Sequence, residues 1–309
     1  MQIDRRHFFG LAGAAAGSAL LSVPKRPKAS PPPVSQETLG CLVDTTLCIG
    51  CRKCEQACKE RHSLPEPDKS FEDLTVFEAQ RRPDAGSYTV VNRYAPGRFI
   101  SGDYNKSATY VKFQCMHCVD PACVSACLVG ALTKRPEGPV IYDASKCIGC
   151  RYCMVACPFQ IPAFEFHVAL TPEIKKCTFC FEYIKKGELP ACARICPTQA
   201  MTFGKRADLL KAAEWKIKSN PGKYVDHIYG EHEVGGTSWM YIAAKPFAEI
   251  GLPRLVDKAP PRLTEALQSA LFQFFAVPLG FFALFGAIMW ITGKKKKTGS
   301  GRDTGVNHE

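Results

Sequence analysis

The sequence predicts an α+β body organised around cysteine loops, followed by one C-terminal transmembrane helix. Three observations predict it. Sixteen of the 17 cysteines fall into four compact sets. Short β-like pieces, Leu42–Asp44, Tyr110–Phe113, Val140–Tyr142 and Met201–Phe203, flank those sets. A charge-free stretch, Leu271–Ile291, runs up to Lys294-Lys295-Lys296-Lys297.

The cysteine spacing carries the chemistry. Set one is Cys48-x2-Cys51-x2-Cys54-x3-Cys58, and set two is Cys115-x2-Cys118-x4-Cys123-x3-Cys127. Set three is Cys147-x2-Cys150-x2-Cys153-x3-Cys157-Pro158, and set four is Cys177-x2-Cys180-x11-Cys192-x3-Cys196-Pro197. Thiolates are the usual protein ligands of iron–sulfur clusters, and the run closed by Cys-Pro is the bacterial ferredoxin pattern. A loop of this spacing curls around one cubane, with a small residue (Gly50, Gly149) where it is tightest. The body therefore reads as duplicated ferredoxin-like units, two 2[4Fe-4S] modules, with a short helix expected from the fourth Cys of each set. Structural zinc uses four ligands in two pairs, which sets one and three do not show. The x11 gap of set four leaves zinc or another cluster type open there. Disulfides fit poorly, since cysteines two residues apart bridge badly. Cys41 lies outside the sets and reads as a half-buried free thiol near set one, with Thr38-Leu39-Gly40 before it only a loose lipidation box.

The remaining segments set the organisation. Arg5-Arg6-His7-Phe8-Phe9 and the small, weakly apolar stretch from Gly10 to Val23 read as a Tat-type export signal spanning residues 1–29. Residues 30–39, with Pro31-Pro32-Pro33, read as a linker, and 40–261 as the four-cluster body. Within it, 60–114 is an insertion between sets one and two, expected to be a cap or a docking surface. Leu132–Tyr142, with Pro136-Glu137-Gly138-Pro139 at its centre, predicts a hairpin, and Asp208–Lys218 an amphipathic surface helix. Residues 271–292 are long enough to cross a bilayer, and the lysine run places the tail, 293–309, in the cytoplasm. The body is then expected on the periplasmic side of the cytoplasmic membrane, where the twin arginine also sends it.

The chain of 309 residues carries 40 Lys+Arg against 29 Asp+Glu, a formal charge of +11. Much of that excess belongs to the signal region and the lysine run. With no recognition helix or aromatic-interleaved basic stripe, nucleic-acid binding is excluded. No Ser/His/Asp, Walker or dinucleotide fingerprint appears either. The reading is an electron relay without a catalytic site of its own. The competing reading, a scaffold in which clusters only hold the fold, is weaker, because four clusters exceed what stability needs.

The four sets, in this order, resemble the four-cluster iron–sulfur subunits of membrane oxidoreductases, among them the β subunits of respiratory formate dehydrogenase and polysulfide reductase. Gln114-Cys115-Met116-His117-Cys118-Val119-Asp120-Pro121, Gly149 to Pro158, Tyr229-Gly230-Glu231, Gly235-Gly236-Thr237, Pro246-Phe247 and Leu252-Pro253 resemble the electron-transfer subunit of hydrogenase-2 type periplasmic [NiFe] hydrogenases. The resemblance implies crossed ligation of four [4Fe-4S] clusters. Cys48, Cys51 and Cys54 would share one with Cys196. Cys177, Cys180 and Cys192 would share one with Cys58. Cys115, Cys118 and Cys123 would pair with Cys157, and Cys147, Cys150 and Cys153 with Cys127. Leu128 and Lys59 follow Cys127 and Cys58 where ferredoxins often place Pro. His117 is expected beside a cluster, with ligation as the alternative. The implied partners are the large and small subunits of a [NiFe] hydrogenase and an integral membrane quinone-reactive subunit, besides the bilayer itself. The alternative is the same relay in a molybdopterin oxidoreductase or a multihaem cytochrome complex.

Overall fold

The computed structural model describes residues 37–95, 108–260, 278 and 280–291. The chain divides into two units, Met1–Pro33 and Val34–Glu309, and every described residue belongs to the second. The twin-arginine segment, most of the linker, Phe99, Tyr104, residues 271–277 and the lysine run lie outside the described residues.

The centre is a three-stranded sheet in the order β8-β1-β9. Strand β1 (Leu39–Asp44) begins inside the expected linker; it pairs antiparallel with β8 (Met201–Lys205) and parallel with β9 (Trp239–Ile242). Successive residues of a strand face opposite sides. Cys41, Val43, Trp239 and Tyr241 accordingly enter the core beside the cysteines, while Leu42, Met240 and Ile242 pack with Leu209 and Ala213. Those last two belong to an α-helix, Arg206–Ser219, slightly longer than the expected 208–218. Strand β1 is covered on both faces, so Cys41 is fully buried rather than half-buried, out of reach of lipidation.

Three β pairs surround the sheet. Strands β2 (Thr89–Tyr94) and β3 (Thr109–Gln114) pair antiparallel over six residues each. Strands β4 (Leu132–Lys134) and β5 (Val140–Tyr142) form the expected hairpin. Its tip docks on β1, where the Leu39 N–H donates to the Glu137 carbonyl at 2.9 Å. Strands β6 (Ala163–Phe164) and β7 (Ile174–Lys175) pair near set three.

The helices differ from expectation. In each set a helix begins one residue before the third cysteine instead of at the fourth, and set four adds one after its second. Helix α1 (Lys53–His62) holds Cys54 and Cys58, α2 (Ala122–Ser125) holds Cys123, and α3 (Tyr152–Ala156) holds Cys153. Helix α4 (Phe181–Ile184) follows Cys180, and α5 (Ala191–Arg194) holds Cys192. The reason is geometric: an x3 spacing is an i, i+4 step, one helical turn, which puts both thiols on one face. Arg52 and Arg151, left-handed at φ 59°, start α1 and α3, while Pro121 and Pro190 start α2 and α5. Proline forces the residue before it into extended geometry, so Pro158 and Pro197 end their turns at the cysteine. Lys59 imposes no such stop, and α1 runs on to His62.

The described part of the insertion folds back over α1. Glu55, 4% exposed, pairs with Arg52 at 3.3 Å and Arg81 at 2.7 Å, and accepts the Val91 N–H at 2.6 Å. Arg52 donates on to the carbonyls of Ser70 and Asp73, and Lys59 to those of Pro65 and Gly86. These bonds hold the β2–β3 hairpin against set one.

Among the described residues no helix is long and apolar enough to cross a membrane. Of the expected span, residues 280–291 are helical, and Phe282, Met289 and Trp290 are exposed.

Glu55 is the buried junction of insertion and α1. Glu55→Ala leaves the Arg52 cation buried without its carboxylate, and is expected to destabilise the chain by about 3–5 kcal/mol. Denaturant unfolding of the variant beside the parent measures it; a loss under about 1 kcal/mol contradicts the latch.

Candidate functional site

All 17 cysteines are free thiols, and they converge by space rather than by sequence. Cys48, Cys51, Cys54 and Cys196 line one small cavity, together with Val43, Lys112 and Pro197. Cys58, Cys177, Cys180 and Cys192 line a second, with His62, Phe179, Lys112 and Trp239. In a third group the Cys118 thiol faces Cys157, Cys115 and Cys123. In the fourth, the Cys153 thiol faces Cys150, Cys127 and Cys147. Each group takes three cysteines from one set and one from another.

The groups also stand in a row. Cys153 interacts with Cys123, joining the fourth group to the third. Cys177 interacts with Cys115, joining the third to the second, and Cys54 with Cys192, joining the second to the first. At the two ends of the row the loops reach solvent: Ile148 and Ile49 are 63% and 59% exposed. The inner thiols are buried except those of Cys118 and Cys157, which are half-buried.

Burial is the first cause of the raised thiol pKa values, and neighbouring thiols add to it. Cys48 and Cys153 are pushed up to about 11, and Cys177 to about 12. Four crowded thiolates cannot coexist in such a pocket without a polycation to carry their charge. Backbone geometry supplies part of the compensation. The residue before the second Cys has positive φ in every set: Gly50 at 72°, His117 at 48°, Gly149 at 68° and Phe179 at 59°. Such turns aim successive N–H groups at one point, a nest for negative charge. The Phe179 and Gly149 N–H groups donate to Cys177 Sγ and Cys147 Sγ at 3.3 and 3.4 Å, and the Ala131 N–H to Cys127 Sγ at 3.2 Å. Gly50 is tied to this conformation twice, because a Cβ there would run into the Tyr110 ring.

Among the described residues no three His, Cys, Asp or Glu side chains converge as a single metal ion requires. A mononuclear zinc draws its thiolates to about 2.3 Å from one point, whereas a multi-iron cluster spreads them over its corners. The paired cavities and inward N–H groups fit the latter.

Several contributing residues were not singled out by the sequence. Phe179 stacks on His117 with centroids 5.0 Å apart and tilts against Trp239 at 5.4 Å, filling the space between the two middle groups. His62 sits 3.9 Å from Cys180 Sγ, and burial, with Arg61 beside it, holds its imidazole down to about 4. Lys134 donates to the His117 carbonyl at 3.1 Å and is held down to about 8 by burial. Lys112 borders both cavities. Strand β9, which delivers Trp239, was readable as a short apolar run; the placing of Lys112 between thiols was not.

His117 is fully buried. Its Nδ1 accepts the Val140 N–H at 2.9 Å, and burial, with Lys176 and Lys134 nearby, keeps the ring neutral. That bond occupies the Nδ1 lone pair and pins the β4–β5 hairpin.

Comparison with known proteins follows this geometry. Residues 107–206 match the model of a 4Fe-4S dicluster domain. A protein of Nitratidesulfovibrio vulgaris is 48% identical over 273 residues, 87% of this chain and 72% of its own. The hydrogenase-2 operon protein HybA of Escherichia coli O157:H7 is 31% identical over 336 residues, covering 99% of this chain and 100% of its own. The iron-sulfur subunit of the nitrate-inducible formate dehydrogenase of Escherichia coli K12 is 34% identical over 221 residues, 69% of this chain and 71% of its own.

His117→Ala is expected to leave iron per chain unchanged while lowering stability by about 1–3 kcal/mol, the cost of an unpaired buried N–H. Iron analysis beside thermal unfolding checks both; a fall in iron would make the imidazole a ligand.

Proposed function

This chain belongs to the iron–sulfur electron-transfer subunits of oxidoreductase complexes, and we propose that it carries electrons through four [4Fe-4S] clusters held by the four thiol groups. The observation that carries this is the gathering of sixteen thiols into four crossed groups in one row. Cys48, Cys51, Cys54 and Cys196 hold the first cluster, and Cys58, Cys177, Cys180 and Cys192 the second. Cys115, Cys118, Cys123 and Cys157 hold the third, and Cys127, Cys147, Cys150 and Cys153 the fourth. The crossing makes two interlocked ferredoxin-like units, sets one with four and sets two with three. Bound there, each cluster takes up and returns one electron. The chain's own part is to hold the thiolates, point N–H groups at them and keep water from the two middle sites.

The catalytic partner we assign is a [NiFe] hydrogenase with its large and small subunits, passing electrons to a membrane quinone-reactive subunit. Likeness to the hydrogenase-2 operon protein runs nearly end to end, whereas likeness to the formate dehydrogenase subunit spans about two thirds of the chain. A molybdopterin partner is the second reading, favoured by the higher identity, 34% against 31%. The twin arginine and the lysine run support export of the body and a membrane anchor with a cytoplasmic tail. The exposed apolar side chains on 280–291 support the same anchor.

Ligation is tested by pairs of variants. Cys147→Ala and Cys127→Ala should each lose about a quarter of the iron, and the double variant no more. Cys147→Ala with Cys157→Ala should lose about half. The reverse pattern would mean each set serves its own cluster. The partner is tested by mass spectrometry of subunits co-purifying from native membranes: nickel–iron subunits support the hydrogenase reading, and a molybdopterin subunit replaces it.

A further inference from the structure

One buried cation, Lys112, borders two thiol groups at once. Arg52 and Arg81 are paired with Glu55. Arg206 donates to the carbonyls of Thr237, Gly230 and Glu231, and Lys176 and Lys134 also donate to backbone carbonyls. Lys112 is 3% exposed, and among the described residues no carboxylate pairs with it. Its Nζ makes one hydrogen bond, to Gln114 Oε1 at 2.8 Å, and lies 4.4 Å from the centre of the Trp239 ring. Both neighbours are uncharged. The electrostatic partners of the ammonium are the thiols of Cys192, Cys54 and Cys177, from the two groups whose cavities it borders.

The placement is rigid. Strand β3 carries Lys112, and its backbone carbonyl accepts from the Tyr241 hydroxyl at 2.9 Å; that hydroxyl accepts from Gln114 Nε2 at 2.7 Å. The hairpin is thus bolted to the central sheet at the point where the charge enters. A lone ammonium buried in low dielectric is costly unless negative charge stands beside it.

We infer that Lys112 is a positioning charge shared by the first and second clusters, one that raises the reduction potential of both. The inference rests on the four-cluster reading above. Adding an electron makes a cluster more negative, so a fixed positive charge favours the reduced state. Bordering both sites, it stabilises the electron on either side. The third group has buried lysines of its own, Lys134 beside Cys118 and Cys115 and Lys176 beside Cys123, so the effect of Lys112 is read on the first two clusters. The insertion acquires a role by this route, since it carries a cation that the clusters of sets one and four hold in common.

The test is a reductive titration of the intact, purified chain in its complex, followed by electron paramagnetic resonance. Lys112→Met removes the charge at similar length, and Gln114→Glu sets a carboxylate against it without removing it. Each is expected to lower the midpoint potentials of two clusters and leave the other two in place, while Lys112→Arg keeps all four. If a charge-removing variant fails to load the same two clusters while Lys112→Arg loads fully, the charge is still needed there. Unchanged potentials in a fully loaded Lys112→Met or Gln114→Glu chain overturn the inference, as does equal loss of clusters in Lys112→Arg. Absence of four clusters from the parent chain would instead overturn the cluster reading itself.

Discussion

The thiol groups are the constraint on which everything else in this chain depends. Sixteen sulfurs from positions as far apart as Cys48 and Cys196 are drawn into four groups, and half of these cysteines are buried. Thiols packed this closely oppose their own ionisation, by burial first and mutual repulsion second. Only a multi-iron centre reverses that balance, and the energy of binding it becomes folding energy. The strands explain why so much depends on it. Apart from the central sheet, the β pairs are two-stranded, and an isolated pair has marginal stability in water.

Around the pockets the chain places partial charges before whole ones. Left-handed turns ahead of the second cysteines aim N–H groups at sulfur, and the turn recurs in all four sets although two use Gly, one His and one Phe. Whole charges are rarer and each is tied down. Glu55 binds two arginines and a strand N–H, which joins the insertion to α1. Lys112 is held by Gln114 Oε1, and the negative charge that can answer it comes from thiols of two groups. Lys112 thus brings the β2–β3 hairpin up against the first two thiol groups, and on the proposed reading the insertion is linked to electron transfer through electrostatics.

Much of this was legible in the letters, for identifiable reasons. Cysteine spacing is a local property, so the four sets and their chemistry could be read directly, as could the β4–β5 hairpin around Pro136 and the amphipathic helix before Ser219. The helices were misplaced because the reading followed the ferredoxin habit of a helix leading away from the fourth cysteine. The i, i+4 step between third and fourth cysteines, with Pro158 and Pro197 as stops, gives the observed placement. Which cysteine joins which group is a long-range fact, and only a family resemblance pointed to it. Lys112 was illegible altogether: within Thr109–Gln114 it looks like one polar residue of a strand, and only the approach of Cys54, Cys177 and Cys192 makes it unusual.

The central claim is that this chain is a four-cluster conductor. Its most direct test is iron and acid-labile sulfide per chain, in protein purified without oxygen. The account predicts about sixteen of each, with no zinc. About eight of each, or zinc in place of iron in any group, would contradict it.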